Sequence, residues 1–182
     1  MKNLEALTRE QASEESAQIF DAVKSKIGMV PNLYATIGNS AKALNGILTY
    51  GETLGSGEFS TKQIEAVALA VSQKNSCDYC LAAHTALGKM NGLSEEDTIA
   101  IRTGEIQDEK LNALTTLAAD ITETRGFPSQ ELVDRFFNVG FSKAALVELI
   151  GLVALNTFNN YTNNIADTAI DFPQAPALPE LA

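Results

Sequence analysis

Between Ser60 and Lys74 the chain carries a helix that only a surrounding core can satisfy. Ser60 with Gln63 three residues on reads as a capping box. The segment it opens, Ile64-Glu65-Ala66-Val67-Ala68-Leu69-Ala70-Val71, is apolar almost all round. A helix without a polar face has to be covered by neighbours on every side. The chain is therefore expected to wrap further elements around this one. Glu65 stands out inside it, because a buried carboxylate without a partner is costly.

The neighbours read as helices too. Ile19, Phe20, Val23 and Ile27 form an apolar stripe that predicts a helix over 11–27, stopped by Gly28, with Pro31 starting a short segment. Ser40 caps a helix carrying Ala43, Leu44, Ile47 and Leu48, which fades at Gly55-Ser56-Gly57. The central helix breaks near Lys74-Asn75-Ser76 and another starts close to Cys77, ending by Gly92. Ser94 with Asp97 resembles a second capping box, closed by Gly104. Asp108, Ser129 and Ser142 open three more, the last through Ala145, Leu146, Leu149, Ile150, Leu152 and Val153. Apolar residues never settle into the alternation of a strand. The expected fold is all-α, a single helical domain over 1–182. Its motif-bearing core is 50–105, and its tail, 171–182, carries Pro173, Pro176 and Pro179 and lies along a surface.

Two stretches echo each other. Gly57-Glu58-Phe59-Ser60 before the central helix resembles Val139-Gly140-Phe141-Ser142 before the last. An offset of 83 lays Glu148 on Glu65 and Leu152 on Leu69, and sets Asn160 and Asn163 where the first copy has Cys77 and Cys80. Two pseudo-repeated halves and a chance match are both compatible with this.

Charge and composition narrow the function classes. A formal net charge of −10 repels phosphate backbones and argues against nucleic-acid binding. No apolar run is long enough for a membrane span, and Met1-Lys2-Asn3-Leu4-Glu5 lacks a signal-peptide core. A cytoplasmic location is expected. Thiols stay reduced there, so a Cys-x-x-Cys pair cycles or binds metal rather than stapling the fold.

Both cysteines and the single histidine of the 182 residues fall in Cys77-Asp78-Tyr79-Cys80-Leu81-Ala82-Ala83-His84. On a helix, spacings of three and four bring Cys77, Cys80 and His84 onto one stripe. A helix N-terminus stabilises a thiolate, and the imidazole can take a thiol proton. The partner thiol can then attack a sulfenic acid or mixed disulfide. Spacing alone leaves open which sulfur acts first: Cys77 is nearer the helix N-terminus, Cys80 nearer His84. If the two helices pack antiparallel, Glu65 reaches back toward His84 as a proton acceptor. Tyr79 is a candidate hydrogen-bond donor into the same pocket. As metal ligands the same residues offer no second pair of the usual kind, and a c-type haem is excluded by Leu81 after the second cysteine.

The order Glu65, Cys77, Cys80, His84, set in Asn75-Ser76-Cys77-Asp78-Tyr79-Cys80-Leu81-Ala82-Ala83-His84, resembles the AhpD-like alkylhydroperoxidases of the carboxymuconolactone decarboxylase superfamily. The specific part of the likeness covers about residues 50–105. It implies an all-helical homo-oligomer, a trimer or hexamer, with peroxidase or disulfide-reductase chemistry. It also implies Cys80 as peroxidatic nucleophile, Cys77 as resolving thiol, and Glu65 with His84 as a proton relay. Tyr79 departs from members that carry a second histidine there. Lactone decarboxylases of the superfamily do not rely on a Cys-x-x-Cys pair, so both cysteines argue against that reaction. The expected function is a dithiol peroxidase acting on hydroperoxides, re-reduced by an external dithiol or thiol protein, without an organic cofactor. The alternatives are a metal-binding module and a non-catalytic stress adaptor.

Overall fold

The computed structural model describes residues 4–178; Pro179 and Met1-Lys2-Asn3, used in the sequence reading, lie outside them. Among the described residues there are nine helices and no strand. In chain order they are α1 (Glu14–Ile27), α2 (Asn32–Ile37), α3 (Ala41–Leu54), α4 (Thr61–Lys74) and α5 (Asp78–Met90). There follow α6 (Glu95–Thr103), α7 (Glu109–Glu123), α8 (Gln130–Asn138) and α9 (Lys143–Ala166). The fold is all-α, and among the described residues no helix is long and apolar enough to cross a membrane.

Helix starts follow side-chain chemistry. Ser40, Ser60, Ser94, Asp108, Ser129 and Ser142 each accept the backbone N–H three residues on. Ser60–Gln63 and Ser94–Asp97 form full capping boxes. The first helix begins at Glu14 rather than at residue 11, because Ser13 takes the Ser16 N–H and fixes the start there. Gly28 ends it in the left-handed region at φ 85°, a conformation that favours glycine.

Helix α4 is the axis of the molecule. Residues Glu65 to Ser72 are all buried, and α5, α7 and α9 pack round it. One core gathers Val67 and Leu69 of α4 with Leu114 and Leu117 of α7, Phe136 of α8 and Leu149 of α9. A second, smaller core joins Phe20, Leu33 and Leu44 to Cys77, Tyr79 and Cys80. The two thiols therefore sit among apolar side chains from the first three helices.

The echoing segments meet but differ in form. Glu148 accepts the Glu58 N–H at 2.6 Å, tying the loop before α4 to α9. The first copy breaks between α4 and α5, where Ser76 adopts φ 50°, whereas α9 runs unbroken to Ala166. From Asp171 the tail crosses the surface. Asp171 accepts the Asn32 N–H at 2.7 Å, Phe172 packs edge-on against Tyr79, and Arg102 donates to the Pro176 carbonyl at 2.6 Å.

Candidate functional site

The α4–α5 turn builds the site. The Cys77 N–H closes on the Ser72 carbonyl at 3.0 Å, so the chain reverses within a few residues and lays α5 back along α4. Cys77 becomes the N-cap of α5, a position usually held by an oxygen side chain, and its Sγ accepts the Cys80 N–H at 3.3 Å. Both thiols are reduced and almost fully enclosed, Cys77 at 0% and Cys80 at 2% exposure.

One turn further along α5, His84 faces α4. Its Nδ1 lies 2.7 Å from Glu65 Oε2. Gly88 lies nearby on α5: a Cβ there would crowd a Leu93 methyl at 2.8 Å while making ordinary contact with the Glu65 Cβ at 3.7 Å. The structure thus brings Glu65 and His84 into direct contact, with Cys80 one helical turn before the imidazole. The Tyr79 hydroxyl is engaged elsewhere. It accepts the Leu33 N–H at 3.2 Å, and Asp171 of the tail lies against it. Burial first, and Asp171 in addition, push its ionisation well above the usual phenol range, so it stays neutral. Tyr79 ties α5 to α2 and the tail.

The two sulfurs have different electrostatics. Cys77 is brought down to about 7, chiefly because the Cys80 thiol donates to it, with the Cys80 N–H and the amides of Asn163 and Asn160 adding to that. Burial opposes the shift. Cys80 goes up for the reciprocal reason, since its proton is held by Cys77, and burial and the Cys77 charge raise it further. Above about pH 7 the pair holds one proton between two sulfurs, with the negative charge at the helix cap.

The amides come from α9. Asn163 Nδ2 lies 3.2 Å from Cys80 Sγ and 3.9 Å from Cys77 Sγ. Asn160 donates to Ser72 Oγ at 3.1 Å and accepts from Asn75 Nδ2 at 2.9 Å. Asn164 donates to the Asn75 carbonyl at 2.9 Å. In the sequence, the 83-residue offset picks out only Asn160 and Asn163 among these asparagines. A signal was present: Asn156, Asn159, Asn160, Asn163 and Asn164 crowd one helix although asparagine is a weak helix former.

Two cavities lie close to the site, each bounded by neighbours of the thiols rather than by the cysteines themselves. One of about 340 Å³ is bounded by Tyr34, Ile47, Ile64, His84, Leu155 and Asn159, so the imidazole reaches it from α5. The other, about 550 Å³, lies across Ser76, Asp78, Tyr79, Asn163 and Thr168. A larger groove of about 580 Å³ between α1 and α3 meets neither thiol nor imidazole. Among the described residues, no three His, Cys, Asp or Glu side chains converge in a way that would hold a metal ion.

A bundle wrapped round one buried helix, with a dithiol at the cap of the next, is an AhpD-like all-α fold. Residues 41–124 match the model of the Carboxymuconolactone decarboxylase family. The fold is shared with the alkylhydroperoxidase AhpD core of an uncharacterized peroxidase-related protein from Ralstonia eutropha JMP134. The TM-score there is 0.81 at 16% identity over 91% of this chain and 90% of that one. A peroxidase-related protein from Silicibacter sp. TM1040 superposes with a TM-score of 0.76 at 22% identity, covering 96% and 94%. The debrominase Bmp8, whose C82A form was solved with 2,3,4-tribromopyrrole, gives 0.79 at 18% identity, covering 94% and 92%. No curated protein matches the sequence.

Proposed function

We propose that the protein is a dithiol peroxidase that reduces organic hydroperoxides. The observation that carries this reading is a buried Cys-x-x-Cys pair at a helix cap, one helical turn from an imidazole that contacts Glu65. Cys80 is the attacking sulfur. His84 takes its proton as the sulfur bonds to the distal peroxide oxygen, and the O–O bond breaks. The imidazolium, held by Glu65, returns that proton to the departing alkoxide. The products are an alcohol and Cys80 sulfenic acid. Cys77, already ionised, attacks the sulfenic sulfur, expels hydroxide, which leaves as water after protonation, and closes the disulfide. An external dithiol restores the pair through exchange. Tyr79 acts on this site by anchoring α5.

A second reading exchanges the roles of the thiols, because Cys77 is the more acidic sulfur. Single-turnover trapping separates the two. With Cys80 attacking, Cys77→Ser still forms one sulfenic acid per chain on mixing with cumene hydroperoxide, and Cys80→Ser forms none. The opposite result assigns the attack to Cys77. Failure of both variants, together with no peroxide-dependent disulfide in the wild type, sinks the peroxidase reading. A brominated pyrrole in the same assay tests whether the dithiol works on that substrate instead.

Self-association belongs to the same proposal. The outer face of α9 presents Val147, Ile150, Phe158, Tyr161 and Ile165 at helical spacing, with Val147 69% and Ile165 78% exposed. A stripe of that kind favours burial against further copies. Light scattering after gel filtration should give a trimer or hexamer; a monomer at micromolar concentration refutes it.

A further inference from the structure

We propose that Asn163 of α9 is a catalytic residue of the dithiol, its side-chain amide donating to the ionised pair and so setting how readily these buried sulfurs carry charge. The inference rests on the dithiol reading but is independent of what the pair reduces. Its basis is geometric. Asn163 is 3% exposed, and its Nδ2 stands 3.2 Å from Cys80 Sγ and 3.9 Å from Cys77 Sγ. Its Oδ1 is buried without a hydrogen-bond partner. A buried amide is normally placed to satisfy both ends. This one leaves its carbonyl unmatched and directs its N–H groups to sulfur, so what fixes it is the contact with the thiols.

The surroundings make that contact matter. Enclosed as they are, the sulfurs have little water to stabilise a negative charge, and an unsolvated thiolate is strongly disfavoured. The titratable groups gathered near the pair are acidic, phenolic or imidazole, while Lys74 of α4 and Lys89 of α5 pair with Glu123 and Glu95. Tyr79 and Asp78 are on α5, Tyr34 on α2 and Asp171 in the tail, and the Glu65–His84 pair joins α4 to α5. Among the described residues no lysine or arginine acts on either thiol's ionisation. What faces the sulfurs from α9 is neutral: the amides of Asn160 and Asn163. Asn160 also donates to Ser72 and accepts from Asn75, whereas Asn163, among the described residues, has no side-chain contact of that kind and stands closest to the sulfurs, 3.2 Å from Cys80. A hydrogen bond to an ionised group is stronger than one to a neutral partner, so the amide selects the thiolate.

The test is the pH profile of thiol alkylation by iodoacetamide, read with thiolate absorbance near ~240 nm, on the reduced full-length protein. Asn163→Leu keeps the volume and removes the donor; Asn163→Asp keeps the shape and replaces the donor with oxygen. Each should raise the alkylation midpoint by about one to two pH units and slow alkylation at neutral pH roughly ten- to a hundredfold. Far-UV circular dichroism and thermal melting check that the variants fold. Where they do not, nitrogen NMR of the wild type carries the test. The Asn163 side-chain amide resonance should shift with the same midpoint as the thiols and lose that titration once the pair is oxidised. Unmoved midpoints in folded variants, or an Asn163 amide that ignores thiol ionisation, overturn the proposal. Because no peroxide enters these measurements, they stand or fall separately from the peroxidase assay.

Discussion

Removing both thiols should change how stability depends on pH. The Cys77 thiol ionises at about 7 in the folded chain, against 9.0 for an ordinary cysteine. A group whose acidity is raised by folding stabilises the fold above its unfolded value, and that contribution is lost as pH falls through the folded one. A hundredfold difference in acidity is worth about 2.7 kcal/mol. Cys80 works the other way: its proton is retained by Cys77, so above about pH 9 the unfolded chain releases a proton that the folded chain keeps. Stability then declines by about 1.4 kcal/mol per pH unit. Partial titration of both groups trims the maximum to about 2 kcal/mol near pH 9. The experiment is urea unfolding of the reduced wild type and a Cys77→Ala, Cys80→Ala double variant between about pH 6 and 10. Carboxylates, lysines and other tyrosines titrate in both proteins and cancel in the difference. That difference should be flat near pH 6, rise through pH 7–9 and fall beyond. A difference that stays constant over the whole range refutes a shared-proton pair.

Three further outcomes are expected. Glu65→Gln removes the carboxylate that contacts His84 at 2.7 Å, and should cut peroxide turnover roughly 10²- to 10⁴-fold in stopped-flow assays while leaving the circular dichroism spectrum unchanged. Tyr79→Phe deprives the Leu33 N–H of its acceptor and should cost about 1–2 kcal/mol in urea unfolding, with turnover within a few-fold of wild type. Phe136→Ala, at a fully buried ring stacked 4.4 Å from Phe141, should destabilise by about 3–5 kcal/mol in the same assay.

Helix punctuation was legible from local chemistry. A serine accepting an N–H three residues on, or a glycine in the left-handed region, acts within a single turn, so caps such as Ser60 and stops such as Gly28 can be read without knowing the fold. The start of α1 shows the limit: the apolar stripe does not mark which polar residue before it takes the cap, and Ser13 does. The extent of α9 shows another. Its asparagines weaken the helical signal after Val153, yet the helix continues because their amides bond across to α4, the turn and the thiols.

By itself the sequence determined an all-helical chain built around one apolar helix, with two thiols and an imidazole clustered on the next. Those properties depend on spacing along one or two turns. Tertiary structure alone decided that the Tyr79 hydroxyl serves α2, that Glu65 meets His84, and that the Asn163 amide comes within 3.2 Å of Cys80 Sγ from 83 positions further along the chain. The physical reason is range. A cap or a stripe is written in neighbouring residues. The ionisation of a buried thiol is set by whichever dipoles the fold brings to it, and in this protein they come from a helix near the other end of the chain.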